Sequence, residues 1–244
     1  MIKKAEVSSF FLSGNCEDDA YRNIRDIPRY ERTRKFIEEL WCEYRPYADR
    51  HFQIEAQSQF LQRFWEMYVC VTFRHHGFDV EKVSNEGPEF LVQIGDYRLW
   101  VEAIAPNQGD TEDRVPSLEF DTDVACKVPK DKVLLRYTSA LFDKLKNYNK
   151  SCENGLIKAA DGYILAINSR NIPHGSFNSV YLSPYASQLP YFVQALLPFG
   201  NLAKLVDQKP SESTEGFYQH SDHVVKLNDE PISTQPFLEP EYAG

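Results

Sequence analysis

The chain has 244 residues, of which 42% are hydrophobic and 14% aromatic, and it carries a formal net charge of −9. This length suits one medium domain or one domain with an extension, and the composition can build a core, which argues against global disorder. The acidic balance argues against a broad phosphate-binding surface, although a local basic groove is compatible with it.

The five cysteines are odd in number and form no C-x-x-C pair, so we expect reduced thiols in a cytoplasmic protein. The N-terminal residues lack the apolar core of a signal peptide, and no window approaches the length of a membrane span, so we expect no membrane partner. The chain stops at "FLEPEYAG" without an evident closing element, as expected if it is truncated there.

Helical periodicity dominates the first third of the chain. It predicts a charged amphipathic helix over residues 28–44 and a longer helix over residues 52–76. The longer helix should end at Gly77, because glycine is the usual residue just after a helix C-terminus.

Short apolar runs then predict three strands, at about residues 79–84, 89–94 and 97–105. Gly95-Asp96 separates the last two strands. A two-residue turn with glycine first suits type II′, so these two strands should form an antiparallel hairpin.

The rest of the chain alternates between loops, helices and strands. We predict a long acidic loop over residues 107–131, an amphipathic helix over 132–150, a buried strand over 162–170, a helix over 184–197 and a β-rich tail over 207–236. This order indicates an α/β fold in which helices flank a small mixed sheet that contains the hairpin.

The same pattern suggests three segments along the chain. They are an N-terminal helical extension over residues 1–50, an α/β core over 51–206 and a β-rich C-terminal segment over 207–244. The core would carry the function, because the hairpin lies within it.

Two acidic residues, Glu89 and Glu102, lie inside the apolar runs of the hairpin. With the turn at Gly95-Asp96, the ladder places Glu89 directly opposite Glu102 on the same face. Two like charges directly opposite each other are destabilising without a partner, and a divalent cation such as Mg²⁺ is a natural partner. In the alternative interpretation the pair lies on a solvated edge, or the register slips by one residue and the two glutamates lie on opposite faces of the hairpin.

The segments "GPEF" and "WVEAIA" resemble the motif of the PD-(D/E)XK nuclease superfamily, in which a Pro-acid step and a hairpin precede acid-x-Lys. The resemblance implies a restriction-endonuclease-like core in which Glu89, preceded by Pro88, and Glu102 bind Mg²⁺ or Mn²⁺ at the cleaved phosphate. Ile104 occupies the position of the family lysine. The role of that lysine is therefore either supplied by another residue or lost.

Many members of that superfamily add a glutamate from the first core helix, and Glu66 is the candidate here. Helical projection places Glu66 at the edge of a wide apolar arc that consists of Phe60, Phe64, Trp65, Tyr68 and Val71. Glu66 is either a third metal ligand or an ordinary boundary glutamate paired with Arg63 or Arg74.

Two cations on the helix after the acidic loop are candidates for the missing lysine. Lys144 falls at the margin of the apolar arc of that helix, and Arg136 lies farther round on the polar side. A lysine near a buried face needs a partner, or its stem lies along the core with its charge in water.

These features predict a Mg²⁺-dependent nuclease that hydrolyses phosphodiester bonds in DNA or RNA. Glu89, Glu102 and Glu66 would hold the metal ion, and Lys144 or Arg136 would stabilise charge on the phosphate. The alternative is a catalytically inactive protein of the same fold that acts as an interaction or accessory module.

Overall fold

The computed structural model describes residues 9–83, 87–117, 128–175, 186–187, 190–197, 201–206, 213–219, 223–226 and 228–234, with the backbone alone for 186–187, 201–206 and 213–219. The chain divides into two units, one of Met1–Ala105 with Tyr148–Asn168 and one of Pro106–Asn147 with Ser169–Gly244. The segment boundaries expected after residues 50 and 206 stay predictions.

Four α-helices open the first unit: α1 (Asp19–Asp26), α2 (Glu31–Tyr44), α3 (Phe52–Glu55) and α4 (Phe60–His75). The predicted helix over residues 28–44 is confirmed, with its first turn, Pro28–Tyr30, in 3₁₀ geometry. The helix predicted over residues 52–76 is wrong in one respect, because it is interrupted between α3 and α4.

Contacts with the N-terminal segment explain this interruption. The Gln57 carbonyl accepts hydrogen bonds from the backbone amides of Glu17 (3.0 Å) and Asp18 (2.8 Å), and the Asp18 carboxylate accepts one from the Phe60 amide (3.2 Å). These bonds use backbone groups that a continuous helix would need. At the other end of α4, Gly77 has φ +81°, as expected for a glycine that ends a helix.

The sheet of the first unit has four strands in sequential order: β1 (Asp79–Lys82), β2 (Phe90–Ile94), β3 (Tyr97–Ile104) and β4 (Gly162–Ile167). The first three strands are antiparallel, and β4 is parallel to β3. A parallel return needs a long connection, and here it contains α5 (Lys130–Glu153). The predicted mixed α/β architecture with a small mixed sheet is confirmed.

Alternation along the strands gives this sheet two different faces. Phe90, Val92 and Val101 join the core formed with α2 and α4. Leu91 and Trp100, one position out of phase, pack with Ile157 in a separate cluster on the opposite face. Glu102 has the same parity as Trp100, so it belongs to this second face.

The turn between β2 and β3 determines their register. Gly95 has φ +58°, whereas Asp96 does not have a positive φ, which is the pattern of a type II′ turn. This turn is compatible with the right-handed twist of the two strands, as predicted from the Gly-Asp order.

The second unit contains the first part of α5 and several short strands. Its strands and remaining α-helix are β5 (Ala186–Ser187), α6 (Tyr191–Leu196), β6 (Asn201–Val206), β7 (Ser213–Gln219), β8 (His223–Val225) and β9 (Pro231–Ser233). Strands β5, β6 and β7 form one antiparallel sheet, and β8 pairs with β9.

Four predictions for this part of the chain have different outcomes. The helix over residues 132–150 and the β-rich tail are confirmed. The helix over 184–197 is partly wrong, because β5 precedes a shorter α6. The acidic loop contains a 3₁₀ turn at Thr111–Asp113, and its residues 118–127 lie outside the described part of the chain.

Candidate functional site

The hairpin has the register that the sequence predicts. The ladder pairs include Phe90 with Val101, Leu91 with Trp100, Gln93 with Arg98 and Ile94 with Tyr97. Glu89 lies one residue before β2, and extending the same register by one step places it opposite Glu102. The alternative of a one-residue slip is therefore excluded for the β2–β3 ladder.

Glu102 is a buried carboxylate, with 4% of its surface exposed. The hydroxyl of Tyr163, on the neighbouring strand β4, donates a hydrogen bond to its Oε2 atom at 3.4 Å. Burial, followed by the negative charges of Glu102 and then Glu89, raises the pKa of Tyr163 above its usual value. Both glutamates of the predicted pair therefore act electrostatically on one hydroxyl.

Glu66 is also 4% exposed, so it lies deeper than the boundary position predicted for it. The Tyr44 hydroxyl donates a hydrogen bond to Oε1, and Arg63 Nη1 lies 2.7 Å from Oε2. Burial raises the pKa of Glu66 above its usual range, against the opposing effects of Arg63 and Tyr44. The pairing with Arg63 is the one that the alternative interpretation predicted.

The apolar arc predicted for α4 is partly wrong, because Phe60 and Val71 are buried as predicted but the centre of the buried side lies elsewhere. Met67 and Cys70 are fully buried, whereas Tyr68 is 38% exposed and Phe64 is only partly buried. Trp65 is also partly buried, and its indole Nε1 donates to the Ala166 carbonyl at 2.8 Å. The buried side of α4 is thus rotated toward Met67 and Cys70 relative to the prediction, and Glu66 lies in the interior as a result.

Arg63 joins two carboxylates, the buried Glu66 and the partly exposed Glu55. Its guanidinium forms ion pairs with Glu66 and Glu55 and lies over the Phe52 ring, 5.4 Å from the centroid. Burial works to lower the pKa of Arg63, but Glu66, Glu55 and Glu89 together raise it. Arg63 Nε is the buried side-chain nitrogen or oxygen that lacks a hydrogen-bond partner in the described part of the chain.

A polar cleft of about 300 Å³ in the first unit brings Glu66 and Glu89 to one surface. Its lining also includes Tyr47, Asp49, His51, Glu55, Arg63, Lys82, Val83, Gly87 and Pro88. The charge of Glu89 contributes to the raised pKa of Tyr44, after burial and the effects of Glu66. The electrostatic influence of Glu89 therefore extends to the partners of both other glutamates.

The metal-binding capacity of these residues depends on the Glu89–Glu102 pair. Within the described ranges, no group of three or more His, Cys, Asp or Glu side chains is placed to hold a metal ion. One cation shared by Glu66, Glu89 and Glu102 stays a prediction. Two carboxylates with water molecules fit Mg²⁺, because this ion keeps several waters and prefers oxygen ligands.

The two candidate cations lie in the second unit, whereas the three glutamates lie in the first. Arg136 donates from Nε to the Asn107 carbonyl (3.0 Å) and from Nη2 to the Asn107 side chain (3.3 Å). Lys144 is half-buried, as predicted from its position at the margin of the α5 arc. Their role near the glutamates stays a prediction.

Comparison of this chain with models of known families, with curated proteins and with solved structures finds no match. None of the helices in the described ranges combines the length and apolar character that crossing a membrane requires. The function of this chain is therefore inferred from its residues and their geometry.

Stability should depend on pH through Glu66 in the metal-free protein. A carboxyl whose pKa is raised by folding stabilises fully below its unfolded pKa of about 4.3, and this contribution is lost as pH rises through the folded pKa. Glu66→Gln has no such titration. We expect urea unfolding in a pH series to show that Glu66→Gln gains stability relative to wild type as pH rises.

Glu39→Gln is the matched control, because Glu39 lies on α2 with 63% of its side chain exposed. Solvent screens that exposed charge, so we expect Glu39→Gln to stay within about 0.5 kcal/mol of wild type. A wild-type protein that gains stability relative to Glu66→Gln as pH rises would contradict the raised pKa.

Proposed function

We propose that this chain is a Mg²⁺-dependent nuclease that hydrolyses phosphodiester bonds in nucleic acid, acting in the cytoplasm. The observation that carries the proposal is the β2–β3 register, which directs Glu89 and Glu102 to the same side of one hairpin. Glu102 is buried and Glu89 is half-buried just before β2. Two like charges opposite each other are destabilising, and a hard divalent cation compensates them through their oxygen atoms.

The order of elements around the hairpin supports the same proposal. Helix α4 precedes β1, β2 and β3, and α5 precedes β4, which returns parallel to β3. A small mixed sheet with a hairpin and flanking helices is the core that the resemblance to PD-(D/E)XK nucleases implies.

In the proposed reaction the chain's own residues have distinct roles. Glu89 and Glu102 hold the ion through carboxylate oxygens, and Glu66 adds negative charge at the wall of the adjoining cleft. When bound, Mg²⁺ acts as a Lewis acid and lowers the pKa of a coordinated water. Lys144 and Arg136 stay the candidates that the sequence predicts for the role of the family lysine, whose position Ile104 occupies.

A second candidate function is that of an inactive nuclease-fold protein serving as an interaction module. Ile104 favours it, because its side chain is 4% exposed and apolar at the position of the family lysine. An aliphatic side chain neither donates a hydrogen bond to a phosphate nor activates a water.

An experiment on the full chain distinguishes the nuclease from the interaction module. Labelled single- and double-stranded DNA and RNA are incubated with Mg²⁺, Mn²⁺ or EDTA across a salt series, and Mn²⁺ binding is followed by electron paramagnetic resonance. We expect cleavage that EDTA abolishes. Lys144→Ala and Arg136→Ala are then compared, and the variant that cleaves more slowly identifies the side chain that replaces the family lysine.

The other outcomes are equally informative. Divalent-ion binding without cleavage of any substrate supports the interaction module. A wild-type protein that cleaves nothing and binds no divalent ion at millimolar concentration excludes both the nuclease and its metal site.

A further inference from the structure

Tyr163 is a polar residue that the motif does not include. It lies on β4, where it pairs with Trp100, and Glu102 pairs with Leu165 two positions farther along. Residues two apart on a strand project from the same face. The Tyr163 hydroxyl is therefore on the face of Glu102, and it donates to Oε2 at 3.4 Å.

Packing holds the Tyr163 ring in this place. The ring meets Tyr148 edge to face, with centroids 4.8 Å apart and an interplanar angle of 64°. Both tyrosines pack against the cluster of Leu91, Trp100 and Ile157. An aromatic ring fixed on two sides has little freedom to turn its hydroxyl elsewhere.

The distance from the hydroxyl to Glu102 Oε2 exceeds the usual 2.5–3.0 Å of an O–H···O bond. Hydrogen bonds at catalytic sites are often long in the absence of ligands and shorten when the ligand binds. A bond to one carboxylate oxygen restricts the rotation of the whole group. Such a bond therefore limits the directions in which the other carboxylate oxygen can point.

We infer that Tyr163 is a positioning residue that holds the Glu102 carboxylate in the orientation that binds a divalent cation. This inference rests on the proposed metal-binding role of the Glu89–Glu102 pair. Groups that hydrogen-bond to metal ligands fix their orientation, and changing them typically weakens metal affinity about 10- to 100-fold.

The test compares Mn²⁺ binding by the full-length wild type, Tyr163→Phe and Tyr148→Phe, measured by electron paramagnetic resonance. Phenylalanine keeps the ring and removes only the hydroxyl. We expect Tyr163→Phe to weaken Mn²⁺ binding by about 10- to 100-fold. Tyr148→Phe, in the same aromatic pair, should change it by less than about threefold, because its hydroxyl interacts with Cys152 instead.

Urea unfolding of the metal-free variants accompanies the titration, and similar midpoints for the two variants exclude a merely structural effect. Wild-type affinity in Tyr163→Phe overturns the inference alone and leaves the metal site intact. Equal weakening by both variants also overturns it, because the effect is then not specific to the hydroxyl that contacts Glu102. A wild type that binds no Mn²⁺ overturns the inference together with the proposed function.

Discussion

Glu102→Gln is expected to reduce cleavage to the level seen in EDTA and to weaken Mn²⁺ binding by more than about 100-fold. A neutral amide removes one of two negative charges at the proposed site, a larger loss than changing a residue that only supports a ligand. Fold should be retained. In EDTA the variant should be at least as stable as wild type, because the repulsion between Glu89 and residue 102 is relieved.

Three measurements check this prediction: nuclease assays, Mn²⁺ titration and urea unfolding in EDTA. Glu81→Gln is the control, because it makes the same change at an exposed position on β1 of the same sheet. Cleavage by Glu102→Gln within a few-fold of wild type, with folding intact, would remove Glu102 from the proposed reaction.

Arg63→Met should destabilise the protein by about 3–5 kcal/mol, the loss typical when one partner of a buried ion pair is removed. Arg63 is 18% exposed, and its partner Glu66 is 4% exposed, so water replaces the lost charge poorly. Methionine loses the guanidinium that lies over Phe52 but retains much of the apolar stem, which limits the loss of packing. Urea unfolding at neutral pH measures the change in free energy.

Two further variants separate charge from packing in this prediction. Adding Glu66→Gln to Arg63→Met should recover much of the stability, because no unpaired buried carboxylate remains. Arg74→Met, on the same helix, should lose no more than about 1 kcal/mol, since its ion pair with Glu43 (3.7 Å) is partly exposed. A double variant as unstable as Arg63→Met would show that the loss comes from packing.

The hairpin illustrates what short-range signals determine. The Gly95-Asp96 turn sets which residues face each other, and the alternation of side chains follows from the pleat. Both act over a few residues, so the ladder from Phe90 to Ile94 could be predicted from the sequence. The helices over 31–44 and 130–153 were equally accessible, because their apolar periodicity is local.

The phase of α4 was not accessible in this way. Projection ranked Phe64 and Tyr68 as interior residues because aromatic rings are large and apolar. The neighbouring helix and sheet instead receive Met67 and Cys70, whose smaller side chains allow close packing. Helical periodicity defines an apolar side, but the shape of the neighbouring elements decides which of its residues point inward.

Local patterns along the chain were therefore enough to predict the α/β class, the hairpin and the opposition of Glu89 and Glu102. The folded structure was needed to show that Asp18 interrupts the helix before Phe60, that Arg63 and Tyr44 enclose Glu66, and that Tyr163 reaches Glu102. Those contacts join residues between 3 and 61 positions apart along the chain. Most of them depend on how distant elements pack together, a relation that no local pattern of residues encodes.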